Sequence, residues 1–373
     1  MQLIIERGAL LRTLGHIHSV VERRNTIPIL SNVLIEARDG HLHLTATDLD
    51  LAIVESVPAN IIQGGATTAS AHTLFDIVRK LPEGTDVELI YKSEDSGRMS
   101  LSAGRSRFQL QCLPREDFPV IADGGMPHSF ALSADALRNL IDKTRFAIST
   151  EETRYYLNGI YLHAADSSGV AVLRGVATDG HRLARFEVPL PDGAAGIPGA
   201  IVPRKTVNEV RKLIEETEGD VSIALSDTKI RFAFDDVVLT SKLIDGSFPE
   251  YSRVIPTQND KLLEVDPKLF AAAVDRVSTI STDKTRAVKL ILDQDRITLS
   301  VTSPDNGSAV EEVAASYRSG PMEIGFNAKY LLDITQQIES DVIRLVLADS
   351  LAPTLVRDQG DDATLYVLMP MRV

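Results

Sequence analysis

The stretch Val176-Ala-Thr-Asp-Gly-His-Arg-Leu-Ala-Arg-Phe-Glu-Val-Pro189 has an earlier counterpart, Thr45-Ala-Thr-Asp-Leu-Asp-Leu-Ala-Ile-Val-Glu-Ser-Val-Pro58. Both carry Ala-Thr-Asp near one end and Val-Pro at the other, and corresponding positions differ by 131 (179 − 48). A fainter third copy begins at Ser300-Val-Thr-Ser-Pro-Asp305 and runs to Val313. Recurrence on this scale is duplication of a folding unit, and it constrains the architecture before any short motif does.

The rest of the chain follows the same plan. Each third opens with an amphipathic helical pattern: Arg7 to Val21, Ala134 to Phe146 behind a capping Ser133, and a helix capped by Asp266 with Pro267 in its first position. A second helix is expected at 73–81, 205–216 and 328–339, each followed by an alternating strand at Asp86–Ile90, Asp220–Leu225 and Asp341–Leu347. The thirds also end alike, in an alternating strand running to Asp117-Phe-Pro119, Gly246-Ser-Phe-Pro249 and Met369-Pro370. The fold class is therefore α+β, three tandem copies of a β-rich unit with two helices and several antiparallel strands. Domains are expected at 1–122, 129–252 and 253–373, with boundaries in Ala122–Pro127 and Val254–Lys261. Pro189–Gly199 is rich in Pro and Gly, yet falls between paired elements of the second copy and reads as an internal connection. An array of this kind leaves an unsatisfied strand edge at each terminus, which seeks a partner chain. Head-to-tail association then gives a ring if the rotation closes and a filament if it does not.

Composition excludes several classes. At 373 residues the chain exceeds one ordinary core, and 44% apolar with 24% charged residues is a globular balance. No apolar run reaches the roughly 18–20 residues of a membrane span. The first residues lack the basic start and apolar run of a signal peptide. A single cysteine, Cys112, excludes an internal disulfide framework and a cysteine-based zinc site, and suits the cytosol. No metal or cofactor is expected. The net charge of −13 stands against a nucleic-acid partner unless the cations are segregated.

Six ordered landmarks make the chain resemble the bacterial DNA polymerase III β subunit family, the replicative sliding clamps. They are Asn25-Thr-Ile-Pro-Ile-Leu-Ser-Asn32, Gly104-Arg-Ser-Arg-Phe108, Arg154-Tyr-Tyr-Leu-Asn-Gly159, Ala177-Thr-Asp-Gly-His-Arg-Leu183, Phe248-Pro-Glu-Tyr251 and Met369-Pro-Met-Arg372. The resemblance covers essentially the whole chain. It implies two chains joined head to tail into a six-domain ring, with helices lining a hole that encircles duplex DNA. It also implies a tethering role without chemistry, and a location in the bacterial cytoplasm at the nucleoid. The six helical segments carry a net charge of +5 and leave −18 for strands and loops, a mildly basic lining inside an acidic shell. Phosphate contacts carry no sequence information, and too many of them would hold DNA too tightly to slide.

The resemblance further implies a cleft for short linear peptides from polymerases, the clamp loader and repair proteins. Its lining would be Leu157, Thr178, Gly180, His181, Arg182, Leu183, Pro249, Arg253, Val254, Asn327, Tyr330, Val367, Met369, Pro370, Met371 and Arg372. Leu, Val, Pro and Met offer an adaptable apolar surface; Arg182, Arg253 and His181 are expected to orient a polar peptide. Leu351-Ala-Pro353 departs from the small polar residues usual in relatives at the cleft edge, which affects peptide preference. DNA-contacting residues would be Arg24, Arg79, Lys80, Tyr155 and Tyr156. Glu151, just ahead of Tyr155, would weaken a phosphate contact. Arg105, Arg107, Phe108 and Leu110 would form one side of the dimer seam, the last two packing near Ile280 and the cations facing Glu311 and Glu312. Two other readings stand beside this one: a hydrolase using Asp179 and His181, and a passive β-rich scaffold with no DNA role. Against the hydrolase, no phosphate loop, metal-binding histidine pair or nucleophile elbow accompanies Asp179-Gly-His-Arg182, which also reads as a plain turn.

Overall fold

The computed structural model describes residues 1–23, 25–92, 97–119, 124–281 and 286–373. Arg24, and Ala122 within the first expected boundary, lie outside the described residues. The first copy contains β1 (Gln2–Glu6), α1 (Arg7–Ile17), β2 (Asn32–Arg38), β3 (His41–Thr47), β4 (Leu51–Pro58), β5 (Asn60–Gln63), β6 (Gly65–Ser70), α2 (Ala71–Lys80), β7 (Asp86–Tyr91), β8 (Arg98–Ala103) and β9 (Ser106–Leu113). The second contains β10 (His128–Ser133), α3 (Ala134–Arg145), β11 (Gly159–Ser167), β12 (Val170–Thr178), β13 (Arg182–Pro189), β14 (Ala200–Pro203), α4 (Arg204–Leu213), β15 (Asp220–Leu225), β16 (Lys229–Phe234) and β17 (Val237–Lys242). The third contains β18 (Lys261–Val265), α5 (Pro267–Ser278), β19 (Ala287–Asp293), β20 (Arg296–Ser303), β21 (Gly307–Ala314), β22 (Ser316–Tyr317), β23 (Met322–Asn327), α6 (Ala328–Thr335), β24 (Ile343–Leu347), β25 (Thr354–Asp358) and β26 (Asp361–Leu368). Apart from β5 and β22, the three copies share one order of strands and helices. The repeated stretches form the same hairpin each time: β3–β4, β12–β13 and β20–β21.

Strand-to-helix junctions are abrupt because side chains at or beside the strand end cap the helix. Glu6 accepts from Ala9 N, Ser70 from Thr73 N, Ser133 from Ala136 N, Asn327 from Lys329 N, and Asp266 from Lys268 N and Leu269 N. The helices stop earlier than their apolar stripes predict. The helix expected over 328–339 ends at Thr335: Gln337 and Ile338 turn back onto Ile334 O and Thr335 O, and Asp358 Oδ2 then takes the backbone N–H groups of Glu339 and Ser340 at 2.7 and 3.3 Å. The helix expected to reach Val21 ends at Ile17, although Val20 and Val21 stay buried in the turns that follow. The helix expected over 205–216 is Arg204–Leu213.

The chain forms two compact units. One, Met1–Leu137 with Asp192–Ala194 and Lys205–Leu243, holds a sheet in the order β10-β15-β16-β17-β4-β3-β2-β6-β9-β8-β7-β1-β5. The other, Arg138–Pro191 with Ala195–Arg204 and Ile244–Val373, holds β14-β11-β12-β13-β26-β25-β24-β18-β22 and a separate sheet β21-β20-β19-β23. The second copy is thus divided, its β10 and β15–β17 in the first unit and its β11–β14 in the second. In each unit the last strand of one copy pairs with the hairpin of another: β17 with β4, and β26 with β13. Among the described residues, β21 pairs only with β20, and Ser106–Gln111 of β9 pairs only with β8. In the first unit α1 and α2 pack together, α1 against β1, β3 and β4 and α2 against β6; in the second α5 and α6 pack together, α5 against β19–β21 and α6 against β23.

Candidate partner-binding cleft

The turn joining β12 to β13 is built by its own side chains. Asp179 Oδ1 accepts from the backbone of His181 and Arg182 at 2.9 and 3.0 Å. Thr178 Oγ1 donates to Arg182 O at 2.7 Å and accepts from Gly180 N at 3.1 Å. Gly180 has φ of +88°, the left-handed region that favours glycine, and a Cβ there would fall 2.5 Å from Arg154 Nη1, which would have to shift. The plain turn is what Asp179-Gly-His-Arg182 forms. The carboxylate needed by the hydrolase reading is spent on backbone and on Arg182, while the exposed His181 ring faces Tyr330 at a centroid distance of 6.3 Å.

Arg182 does not reach out toward a peptide. Its side chain is only 7% exposed: Nε donates to Asp179 Oδ2 at 3.1 Å, Nη1 to Asp333 Oδ2 at 2.5 Å, and Nη2 to Phe146 O at 2.6 Å. The guanidinium lies over the Tyr330 ring at 4.3 Å and the Phe146 ring at 5.2 Å. The expected orienting cation is instead an internal clamp joining the turn, α6 and the end of α3. Its planar fork suits three acceptors in different directions.

Above this clamp lies a recess of about 290 Å³, lined by Leu157, Thr178, Gly180, Arg182, Leu183, Pro249, Val254, Val367 and Met369 of the expected residues. Arg154, Tyr156, Glu250 and Tyr251 complete the wall. Tyr156, expected at the DNA, also lines this recess. The signal for the other three was present, since all sit inside the landmarks Arg154–Gly159 and Phe248–Tyr251. Arg154 is a second cation in the lining, beside Arg182. It donates two hydrogen bonds to Glu151, at 2.7 and 2.6 Å, which hold the Glu151 carboxyl below its usual pKa range.

The floor is apolar: Val176, Leu183, Tyr251, Leu365 and Val367 pack as one buried cluster, with Tyr161, Phe248, Ile255 and Leu355 against it. Tyr251 is fixed through its hydroxyl, which bonds His163 Nε2 at 2.9 Å and receives Arg174 Nη1 at 2.8 Å. Arg174 in turn pairs with the buried Glu187 at 2.7 Å. Burial pushes the His163 imidazole below its ordinary pKa.

His181, Arg253, Asn327, Tyr330, Pro370, Met371 and Arg372 lie outside the recess lining. Asn327 caps α6, and Tyr330 supports Arg182. The carboxyl-terminal tail is anchored: Met371 N donates to Gly325 O at 2.8 Å, and a Cβ on Gly325 would lie 2.4 Å from Val373 Cγ1. Leu351 is 72% exposed.

The other candidates are dispersed. Arg79 and Lys80 close α2 as exposed residues, with Arg79 Nη2 3.2 Å from Asp76, and Tyr155 is 54% exposed. On β9, Arg105 and Arg107 are exposed, Phe108 is half-buried and Leu110 is 9% exposed. Glu311 on β21 is already engaged by Arg276, whose Nε donates to it at 3.0 Å, whereas Glu312 is exposed.

Three family models span the chain: the N-terminal, central and C-terminal domains of the DNA polymerase III beta subunit match residues 1–122, 131–250 and 252–372. The chain belongs to the DNA polymerase III beta subunit family. The beta sliding clamp of Caulobacter vibrioides is 55% identical over 373 residues, covering 100% of both chains, and that of Escherichia coli K12 is 36% identical over the full length of both. Among solved structures, a Bartonella birtlesii sliding clamp bound to griselimycin shares 53% identity, covers 100% of each chain and has a TM-score of 0.97. A Caulobacter crescentus sliding clamp shares 54%, with the same coverage and a TM-score of 0.95. Among the described residues, no helix of this beta-subunit family member is long and apolar enough to cross a membrane.

Proposed function

We propose that this chain is a DNA sliding clamp: two copies close head to tail around duplex DNA and hold a polymerase on it without chemistry of their own. One observation carries the reading. A terminal strand pairs with a hairpin strand twice inside the chain, and the third such pairing is left open at both ends, at β9 and β21. A second chain supplies both missing partners, and two such seams close a ring. Phe108 and the exposed Arg105, Arg107 and Glu312 would flank the seam. Surface ion pairs contribute only about 0–1 kcal/mol each, so strand pairing and apolar packing dominate.

Domains 1–122, 129–252 and 253–373 would repeat around the ring. Arg24, Arg79, Lys80 and Tyr155 would meet phosphates loosely enough to slide. The recess over Leu183 and Val367, with Met369–Arg372 at its edge, would take linear peptides from the polymerase, the clamp loader and repair proteins in the bacterial cytoplasm.

The test is retention on closed circular DNA against the same DNA linearised. A clamp stays on the circle and runs off the ends; equal retention on both refutes it. Deleting Met369–Val373 should abolish binding of a labelled linear peptide from the polymerase while sedimentation still shows a dimer. Phe108→Asp should shift sedimentation toward monomer by placing an unpaired charge at the seam.

A further inference from the structure

The cleft has an internal counterpart on the first unit. The β3–β4 turn repeats the β12–β13 turn bond for bond: Asp48 Oδ1 accepts from Asp50 N and Leu51 N at 3.0 and 2.7 Å, and Thr47 Oγ1 donates to Leu51 O at 2.9 Å while accepting from Leu49 N at 3.0 Å. The neighbouring strand docks identically. Lys242 N donates to Asp50 O at 2.8 Å, as Met369 N donates to His181 O at 2.9 Å. Beside this turn lies a recess of about 220 Å³. Its walls include Ala52 where the cleft has Leu183, Thr240 for Val367, Lys242 for Met369, and Pro119 for Pro249.

Two features separate it from an inert remnant. Leu49 occupies the position of Gly180 and holds φ of +80°, a conformation that leucine adopts only under strain, yet its side chain lines the recess and is 47% exposed. Strain kept at an exposed apolar residue on a recess points to use of that side chain. The second feature is charge. Lys229 and Lys242 both line this recess, and Lys242 pairs with Asp50, the two side chains being 56% and 77% exposed. Such a pair exchanges readily for a partner's carboxylate.

We propose that this recess is a second peptide-docking site, taking an extended acidic segment of a protein partner with an aliphatic side chain against Leu49 and a carboxylate on Lys242. The peptide class rests on the cleft reading, by internal repetition; the geometry and charge are its own. The larger apolar walls of the cleft suit bulky anchors, while Ala52 and Thr240 leave room for one aliphatic residue and polar backbone contact.

The probe is a fluorescein-labelled acetyl-Asp-Glu-Leu-Asp-Leu-Glu amide, followed by anisotropy with the full chain, alongside the labelled polymerase peptide. The acidic probe should bind with a submillimolar Kd, weaken at least fivefold in both Leu49→Gly and Lys242→Glu, and be indifferent to deletion of Met369–Val373. The polymerase peptide should show the opposite pattern. No binding of the acidic probe at 1 mM, weakening by Lys242→Glu alone, or loss on the deletion each overturns the proposal. If the polymerase peptide ignores the deletion while the acidic probe behaves as stated, the cleft assignment fails and this site stands. Leu49→Gly relieves backbone strain, so its folding is not in question.

Discussion

Replacing Arg182 with methionine keeps an extended apolar body over Tyr330 and Phe146 but removes every donor of the clamp. Asp179 retains its two backbone N–H bonds, so its loss is partial. Asp333, whose side chain is 24% exposed, and the carbonyl of Phe146 lose the guanidinium outright. Breaking a buried pair by removing one member costs about 3–5 kcal/mol. Water reaching Asp333 and the bonds left to Asp179 place this case at the lower end, about 3 kcal/mol. At 1.4 kcal/mol per decade that is somewhat more than a hundredfold. The readout is amide hydrogen exchange along β13 and α6, whose protection should fall by that factor while β1, β7 and β8 keep theirs. Arg182→Lys should recover only part of it, since one ammonium cannot serve three divergent acceptors. Exchange of the methionine variant within threefold of wild type, or full recovery by lysine, would refute the clamp.

Acidification should loosen the recess floor. The folded state holds His163 below its ordinary pKa of 6.5, so below that pH the unfolded chain takes up a proton that the folded chain resists. Stability is full above pH 6.5 and declines toward the lower folded pKa; His163→Gln should flatten that part of the profile in urea unfolding of the second unit. Gly180→Ala should cost about 1–3 kcal/mol through its positive φ, and should displace Arg154 from Glu151. It should weaken polymerase-peptide binding in a titration, and unchanged affinity would mean that the turn does not shape the recess.

The sequence determined what depends on near neighbours. The threefold plan, the strand-to-helix caps at Ser133 and Asp266, and the self-bonded turn at Asp179 are all set within a few residues, where short side chains can bond only local backbone. The landmarks also placed most of the recess wall. Tertiary structure alone decided the partners. Arg182 finds Asp333, 151 residues away, and so becomes a clamp and not a ligand. Glu311 finds Arg276; Tyr156 turns into the recess; Asp358 takes the backbone donors of Glu339 and Ser340 beyond the end of α6. None of these follows from spacing along the chain, because each is a contest among hydrogen-bond acceptors and apolar surfaces that meet only once the sheets are formed.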